Sequence, residues 1–363
     1  MKIGIIGGGN MGCVIATKFS QKHEVTLYTN LIDKLPLYKK DMKVYLEDND
    51  SYYQANIKCV TSSLEELCKK SDYIFITFPS FLFEQLCKDI LPFLNERHHL
   101  FFVPGSGGAE LFFKDVLAKG VTISGLQRVH SVARIIDFGE LTKETGLRKE
   151  LYVASIPNSF NKEAVNIVEE LYGIKTTSLD NYLNITLINS NPILHTSRLY
   201  SIFKDYESVH EYKKLPLFYE EWSNESSELL IKMDNELFHM FDCFEDRGLP
   251  IKQIKPLLEH YESTNAIEMT NKIRSINSLK GLTTPSVKLE NGNYIPDLSS
   301  RYFTADFPDG LDILLAFART LNLDCPNMHL VTSWYHRITN TRVKFDLSSF
   351  GFKEIEDLLI FYK

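Results

Sequence analysis

The opening of the chain constrains it most. Gly7-Gly8-Gly9-Asn10-Met11-Gly12 satisfies G-x-G-x-x-G, directly after the apolar run 3–6 and directly before a helical pattern that begins near Met11 and continues to about Lys22. Each glycine has a task in such a turn. The first, Gly7, permits the tight bend; the second, Gly9, lets the backbone approach a pyrophosphate; the third, Gly12, allows close helix–strand packing. The helix start at Asn10 and Met11 adds free N–H groups and partial positive charge for the phosphates. A second short apolar run follows at 24–28, and that β-turn-helix-β context makes the motif a strong signal for a bound dinucleotide. The competing reading is a glycine-rich tight turn with no ligand.

The alternation then repeats. Strand-like runs at 57–60, 73–78, 99–103 and 121–124 are separated by helical ones at 63–70 and 82–91. Ser63 and Glu66 stand at capping-box spacing, and Pro92 ends the second helix. Such units predict a mainly parallel, doubly wound sheet with helices on both faces and right-handed crossovers. After strands at 151–155 and 174–179 the character changes. From about Asn184 the chain is mostly helical, with runs at 225–244, 252–261 and 311–321. The expectation is an α/β, Rossmann-like dinucleotide-binding domain over 1–183 and a mostly α-helical substrate domain over 184–363, docked without a long linker and suggesting a cleft between them.

Composition narrows the class. With 363 residues, 44% hydrophobic and 24% charged, the chain reads as an ordinary folded protein of two domains. A net charge of −7 disfavours generic nucleic-acid binding. No run approaches the ~20 apolar residues of a membrane helix, and the first residues lack the regions of a signal peptide. The six cysteines are scattered with no CxxC pair, which fits reduced thiols in a cytoplasm better than a disulfide frame or a zinc site.

The choice of coenzyme turns on the end of the second strand, where an acid favours NAD and a nearby Arg favours NADP. Here Tyr28 is followed by Thr29 and Asn30, either of which can hydrogen-bond a ribose hydroxyl or a 2′-phosphate without repelling it. The balance tips slightly to NADP over NAD. Pro79 and Ser80, after the strand at 73–78, and Gly105 in Gly105-Ser106-Gly107-Gly108, after the strand at 99–103, are further candidates for the coenzyme's surroundings, with simple turns as the alternative.

Two distant segments carry a resemblance. Asn191-Pro192-Ile193-Leu194-His195 opens the helical part, and Arg301-Tyr302-Phe303-Thr304-Ala305-Asp306-Phe307-Pro308-Asp309-Gly310 lies far downstream. Together with the stretches at 104–110, 126–129 and 280–285 they resemble the octopine/nopaline (opine) dehydrogenase family, within a wider group that includes ketopantoate reductase and glycerol-3-phosphate dehydrogenase. The resemblance implies reductive condensation of an α-keto acid such as pyruvate with the amino group of an amino acid, using NAD(P)H. It implies His195 and Asp306 as the catalytic dyad, Arg301 as the holder of a substrate carboxylate, and Asn191 beside them as a substrate contact. The wider group is often dimeric, so a homodimer is one expected assembly. The sequence departs from the family at Ala305, where an acid is usual, and at His130, where a proline often stands.

The residue types suit that chemistry. Hydride arriving at a carbonyl or imine carbon pushes negative charge onto oxygen or nitrogen, and a positioned acid must neutralise it. An imidazole titrates near neutrality, and a carboxylate on its other nitrogen fixes its orientation and favours its protonated form. An arginine grips a carboxylate through two parallel hydrogen bonds. Each residue also has an ordinary reading: His195 as a core histidine at a helix start, Arg301 in a surface ion pair, Asp306 as a cap before Pro308. The aromatic residues at 206–222 and 237–244 read as core or docking surface, and the acidic run at 207–228 as a solvated helical face. The alternatives to an opine-type enzyme are a ketopantoate or 2-hydroxy-acid reductase of the same architecture, which would use a lysine near the start of the helical domain, and a non-catalytic NAD(P)-binding sensor.

Overall fold

The computed structural model describes all residues except 208–209, 252–253 and 344. The start of the helix expected at 252–261 and part of the acidic run at 207–228 therefore lie outside the described residues. The chain divides into two compact units, Met1–Leu187 with Tyr362–Lys363, and Ile188–Phe361.

The first unit is built on an eight-stranded sheet in the order Lys175–Ser178, Glu150–Ile156, Thr122–Leu126, His99–Phe102, Tyr73–Ile76, Lys2–Ile6, Glu24–Tyr28, Cys59–Thr61. Every neighbouring pair is parallel except Thr122–Leu126 with Glu150–Ile156, which is antiparallel. Its central strands read as continuous apolar runs because both faces are covered: Ile3, Ile5, Ile74, Phe75, Leu100 and Phe101 have no accessible surface. Helix Asn10–Phe19 packs Phe19 edge-on against Phe75 and Tyr172 on one face. Strand order reverses between Lys2–Ile6 and Tyr73–Ile76, and at such a switch point the carboxyl ends of the strands splay around a crevice.

The sequence patterns did not reveal a second, four-stranded sheet. Ser51–Gln54, Lys43–Leu46, Leu141–Thr145 and Val132–Asp137 pair in that order, so that one hairpin from early in the unit joins another almost a hundred residues on. The expected helix caps are present in part. Ser63 Oγ accepts from the Glu66 N–H at 3.2 Å, but the Glu66 carboxylate takes the Thr61 hydroxyl rather than completing the box.

The second unit is a helical assembly. Helices Asn191–Phe203, Asn224–Glu245, Ala266–Ser275, Asp312–Thr320 and Pro326–Thr339 pack around Trp222, Phe244, Phe303, Phe307 and Trp334, with one short antiparallel hairpin, Ser286–Lys288 with Tyr294–Pro296. The long helix begins at a Ser223 cap whose hydroxyl accepts from the Ser226 N–H. Among the described residues no helix is long and apolar enough to cross a membrane.

Candidate active site

The glycine loop sits at the carboxyl end of Lys2–Ile6, at the switch point. Gly7 has φ +116°, a backbone that disfavours any side chain, and a Cβ there would stand 2.5 Å from Thr77 Oγ1. Thr77 fixes the bend: its N–H and hydroxyl both donate to the Ile6 carbonyl. A Cβ on Gly12 would lie 1.6 Å from the Gly7 carbonyl oxygen, so the helix can approach the strand only without one. Gly9 differs. Nothing lies within 4 Å of the Cβ it would carry, and the loop there faces open space.

The first intrahelical bond runs from Cys13 N–H to the Gly9 carbonyl at 2.9 Å, so the N–H groups of Asn10, Met11 and Gly12 precede it without a helical carbonyl behind them. An open cradle with unused N–H groups at a helix start fits the pyrophosphate of a dinucleotide.

The other residues singled out for the coenzyme divide into two sets. The Asn10 side chain is committed elsewhere, its Oδ1 accepting from the Ile135 N–H at 2.8 Å, so only its backbone faces the cradle. Met11 is half-buried against the core. Thr29 is buried, and its hydroxyl accepts from the Leu31 N–H, which shapes the turn after Glu24–Tyr28; Asn30 beside it is exposed. Pro79 is exposed and Ser80 half-buried at the end of Tyr73–Ile76. Gly105 is buried and used for packing: its N–H donates to Leu126 O, its carbonyl accepts from Tyr182, and a Cβ would meet Gly125 Cα at 2.7 Å. Both of its backbone polar groups are hydrogen-bonded within the fold. A glycine kept for close packing and one kept for a ligand are indistinguishable in the sequence.

In the second unit the two distant segments meet. Pro192 is at the start of helix Asn191–Phe203, and Gly310 packs so closely on its ring that a Cβ would lie 2.6 Å from Pro192 Cγ. This contact lays the single π turn Phe307–Leu311 across the helix start and carries Asp306 to His195. His195 Nδ1 donates to Asp306 Oδ2 at 2.7 Å, and Nε2 lies 2.8 Å from the Tyr219 hydroxyl. The pair is mostly enclosed, with side-chain exposures of 12% and 18%. Tyr302 stands edge-on to the imidazole at 4.7 Å, and Phe218 packs on Tyr302 at 4.9 Å. Arg301 is exposed and, among the described residues, makes no ion pair; Asn191 is exposed at the helix start.

Tyr219 is the site residue that pattern reading missed, since it lies in the aromatic stretch read as core. No spacing relates position 219 to 195. The link is Arg198, one turn beyond His195, whose buried guanidinium donates to the carbonyls of Leu217, Phe218 and Glu221 and so holds the segment that carries Tyr219. Burial pushes the Tyr219 phenol upward, with Tyr302 adding to the shift. Among the described residues no group of three His, Cys, Asp or Glu side chains is placed to hold a metal ion.

Comparison with known proteins agrees over both units. The family described as NAD/NADP octopine/nopaline dehydrogenase, alpha-helical domain, matches residues 178–339, and the ketopantoate reductase PanE/ApbA family matches residues 3–137. Tauropine dehydrogenase of Arabella iricolor is 24% identical, covering 92% of this chain and 90% of its own. Opine dehydrogenase of Haliotis discus hannai is 22% identical, covering 91% and 88%. A solved structure of octopine dehydrogenase with NADH and L-arginine has the same fold, with a TM-score of 0.87 at 19% identity over 98% of this chain and 97% of that one. Over residues 178–339 the chain matches the octopine/nopaline dehydrogenase family, and over most of its length it is similar to opine-type dehydrogenases.

Proposed function

We propose that this protein condenses an α-keto acid such as pyruvate with the amino group of an amino acid and reduces the product, with His195 as acid/base and Asp306 as its orienting partner. The observation that carries this reading is the imidazole held at Nδ1 by a carboxylate 111 residues away, with Nε2 directed to a hydroxyl. A carboxylate accepts and has no hydrogen to give, so Nδ1 carries one and Nε2 is the nitrogen that exchanges protons. Addition of the amine to the keto carbon gives a carbinolamine, whose hydroxyl must gain a proton to leave as water. Protonated His195 is the source of that proton, and Asp306 stabilises the charge beforehand. When bound, the reduced nicotinamide coenzyme supplies the hydride that converts the resulting C=N carbon to the amine.

Arg301, exposed and without an ionic partner among the described residues, supports the assignment of a guanidinium to the keto-acid carboxylate; Asn191 is open to the same role of substrate contact. The coenzyme would lie on the N–H groups of Asn10, Met11 and Gly12 beside Gly9. The end of strand Glu24–Tyr28 bears no acid, and exposed Asn30 admits a 2′-phosphate as readily as a ribose hydroxyl, which favours NADP over NAD slightly.

The match of residues 3–137 to ketopantoate reductase favours a second reading, reduction of a keto acid alone. The lysine that such an enzyme would use is missing between Asn184 and Leu199. The test is loss of reduced-coenzyme absorbance with pyruvate or 2-oxoglutarate against the common amino acids. Oxidation that requires both substrates is expected. Oxidation with keto acid alone would establish the second reading, and none under any condition would leave a coenzyme-binding protein without turnover.

A further inference from the structure

His195 offers one nitrogen to Asp306 and the other to Tyr219, which leaves neither open. An imidazole nitrogen has a single in-plane lone pair or hydrogen, and at 2.8 Å the Tyr219 hydroxyl is on it. A proton can then leave Nε2 in two ways: substrate displaces the phenol, or the proton passes through it. The surroundings of Tyr219 decide between them. Its ring is 5% exposed, lies parallel to Trp222 at 6.0 Å and meets Phe218 edge-on at 4.9 Å. Arg198 grips the backbone on both sides of it, at 2.9 Å to Phe218 O, 3.2 Å to Leu217 O and 2.7 Å to Glu221 O, with the guanidinium 5.4 Å from the Trp222 ring centre.

Moving the phenol aside would break that packed set. A hydroxyl that stays can accept one hydrogen while donating another, and burial, with the Tyr302 phenol beside it, pushes its titration upward, so that it holds its hydrogen at neutral pH.

We propose that Tyr219 delivers the proton to the substrate, with His195 as the reservoir behind it. The proposal rests on the opine-type reading above. In the dehydration step the carbinolamine C–O bond breaks as its oxygen takes the Tyr219 hydroxyl hydrogen and leaves as water. The nitrogen lone pair closes the C=N bond. The Tyr219 oxygen takes the hydrogen from Nε2, so the phenol is restored and the imidazolium becomes a neutral imidazole that keeps its Nδ1–H on Asp306.

Tyr219→Phe keeps the ring and removes only the hydroxyl. With both substrates present, kcat should fall about 100-fold or more while KM for each substrate and coenzyme affinity hold. The ¹⁵N resonance of His195 Nε2 should move while that of Nδ1 stays. A variant as fast as the native protein, or faster, would mean that substrate displaces the phenol, and an unmoved Nε2 resonance would mean that no such bond exists; either overturns the proposal. Should the variant fail to fold, the solvent-deuterium dependence of native kcat decides: a curved proton inventory is expected, and a linear one refutes the relay. A native protein inactive with both substrates would instead refute the opine-type reading, and the resonance test on Tyr219 would still stand.

Discussion

Replacing Gly9 by alanine separates a glycine kept for a ligand from its neighbours kept for the fold. At Gly9 φ is −83° and the added methyl group meets nothing, so the coenzyme-free protein loses only the small helix-capping difference between Gly and Ala, about 1 kcal/mol or less. The open space is where the pyrophosphate is proposed to lie, and a methyl group holds the phosphates off the helix N–H groups. Loss of one charge-assisted hydrogen bond is worth about 1.5–3 kcal/mol, or roughly 10- to 150-fold in affinity. Thermal unfolding with and without NADH or NADPH reads both effects. At 100 times its Kd, coenzyme stabilises the native protein by about 2.7 kcal/mol. If the variant binds 100-fold more weakly, that same concentration equals its Kd and gives about 0.4 kcal/mol. The free proteins should therefore melt alike while the coenzyme-induced rise nearly vanishes. A Gly9→Ala protein that keeps the full rise would place the dinucleotide elsewhere.

Two further outcomes follow from packing and burial. Gly310→Ala puts a methyl group 2.6 Å from a proline ring that cannot rotate away; overpacking of this kind costs about 1–3 kcal/mol, and the parting of the π turn from the helix should reduce turnover further than the melting temperature suggests. Native melting together with native turnover would refute the contact. Glu110 is fully buried, accepts from Thr186 and Tyr362 through one oxygen while the other has no partner among the described residues, and burial raises its carboxyl to about 7. A raised folded-state value means that the protonated form is the one the fold prefers. Its contribution is complete below the ordinary carboxyl range near 4.5 and is lost as pH rises towards 7, by at most about 3 kcal/mol. Glu110→Gln should remove that decline from the melting temperature between pH 5 and pH 7.5, and an unchanged profile would show that Glu110 does not titrate there.

How much of this was legible depended on whether an interaction leaves a mark along the chain. The central strands did, because burial on both faces demands uninterrupted apolar residues, and the loop at Gly7–Gly12 did, because its backbone tolerates little else. The four-stranded sheet did not. Its strands Ser51–Gln54 and Val132–Asp137 expose alternate or most residues, and the pairing of Lys43–Leu46 with Leu141–Thr145 is non-local. His195, Arg301 and Asp306 were reachable only through the resemblance, since nothing in the spacing joins two segments more than a hundred residues apart. Tyr219 was invisible for a sharper reason: its ring behaves as the core residue that its neighbours suggest, and only the hydroxyl faces the imidazole. The commitment of Asn10 to Ile135 was likewise hidden, because a cap-like residue in a glycine loop gives no sign of a partner in a distant strand.

The most direct measurement is coenzyme oxidation by His195→Ala with keto acid and amino acid both present, paired with coenzyme-induced thermal stabilisation of the same variant. Turnover should fall at least about 100-fold while the stabilisation matches that of the native protein. A variant that turns over as fast as the native protein would contradict the assignment of His195 as the acid/base.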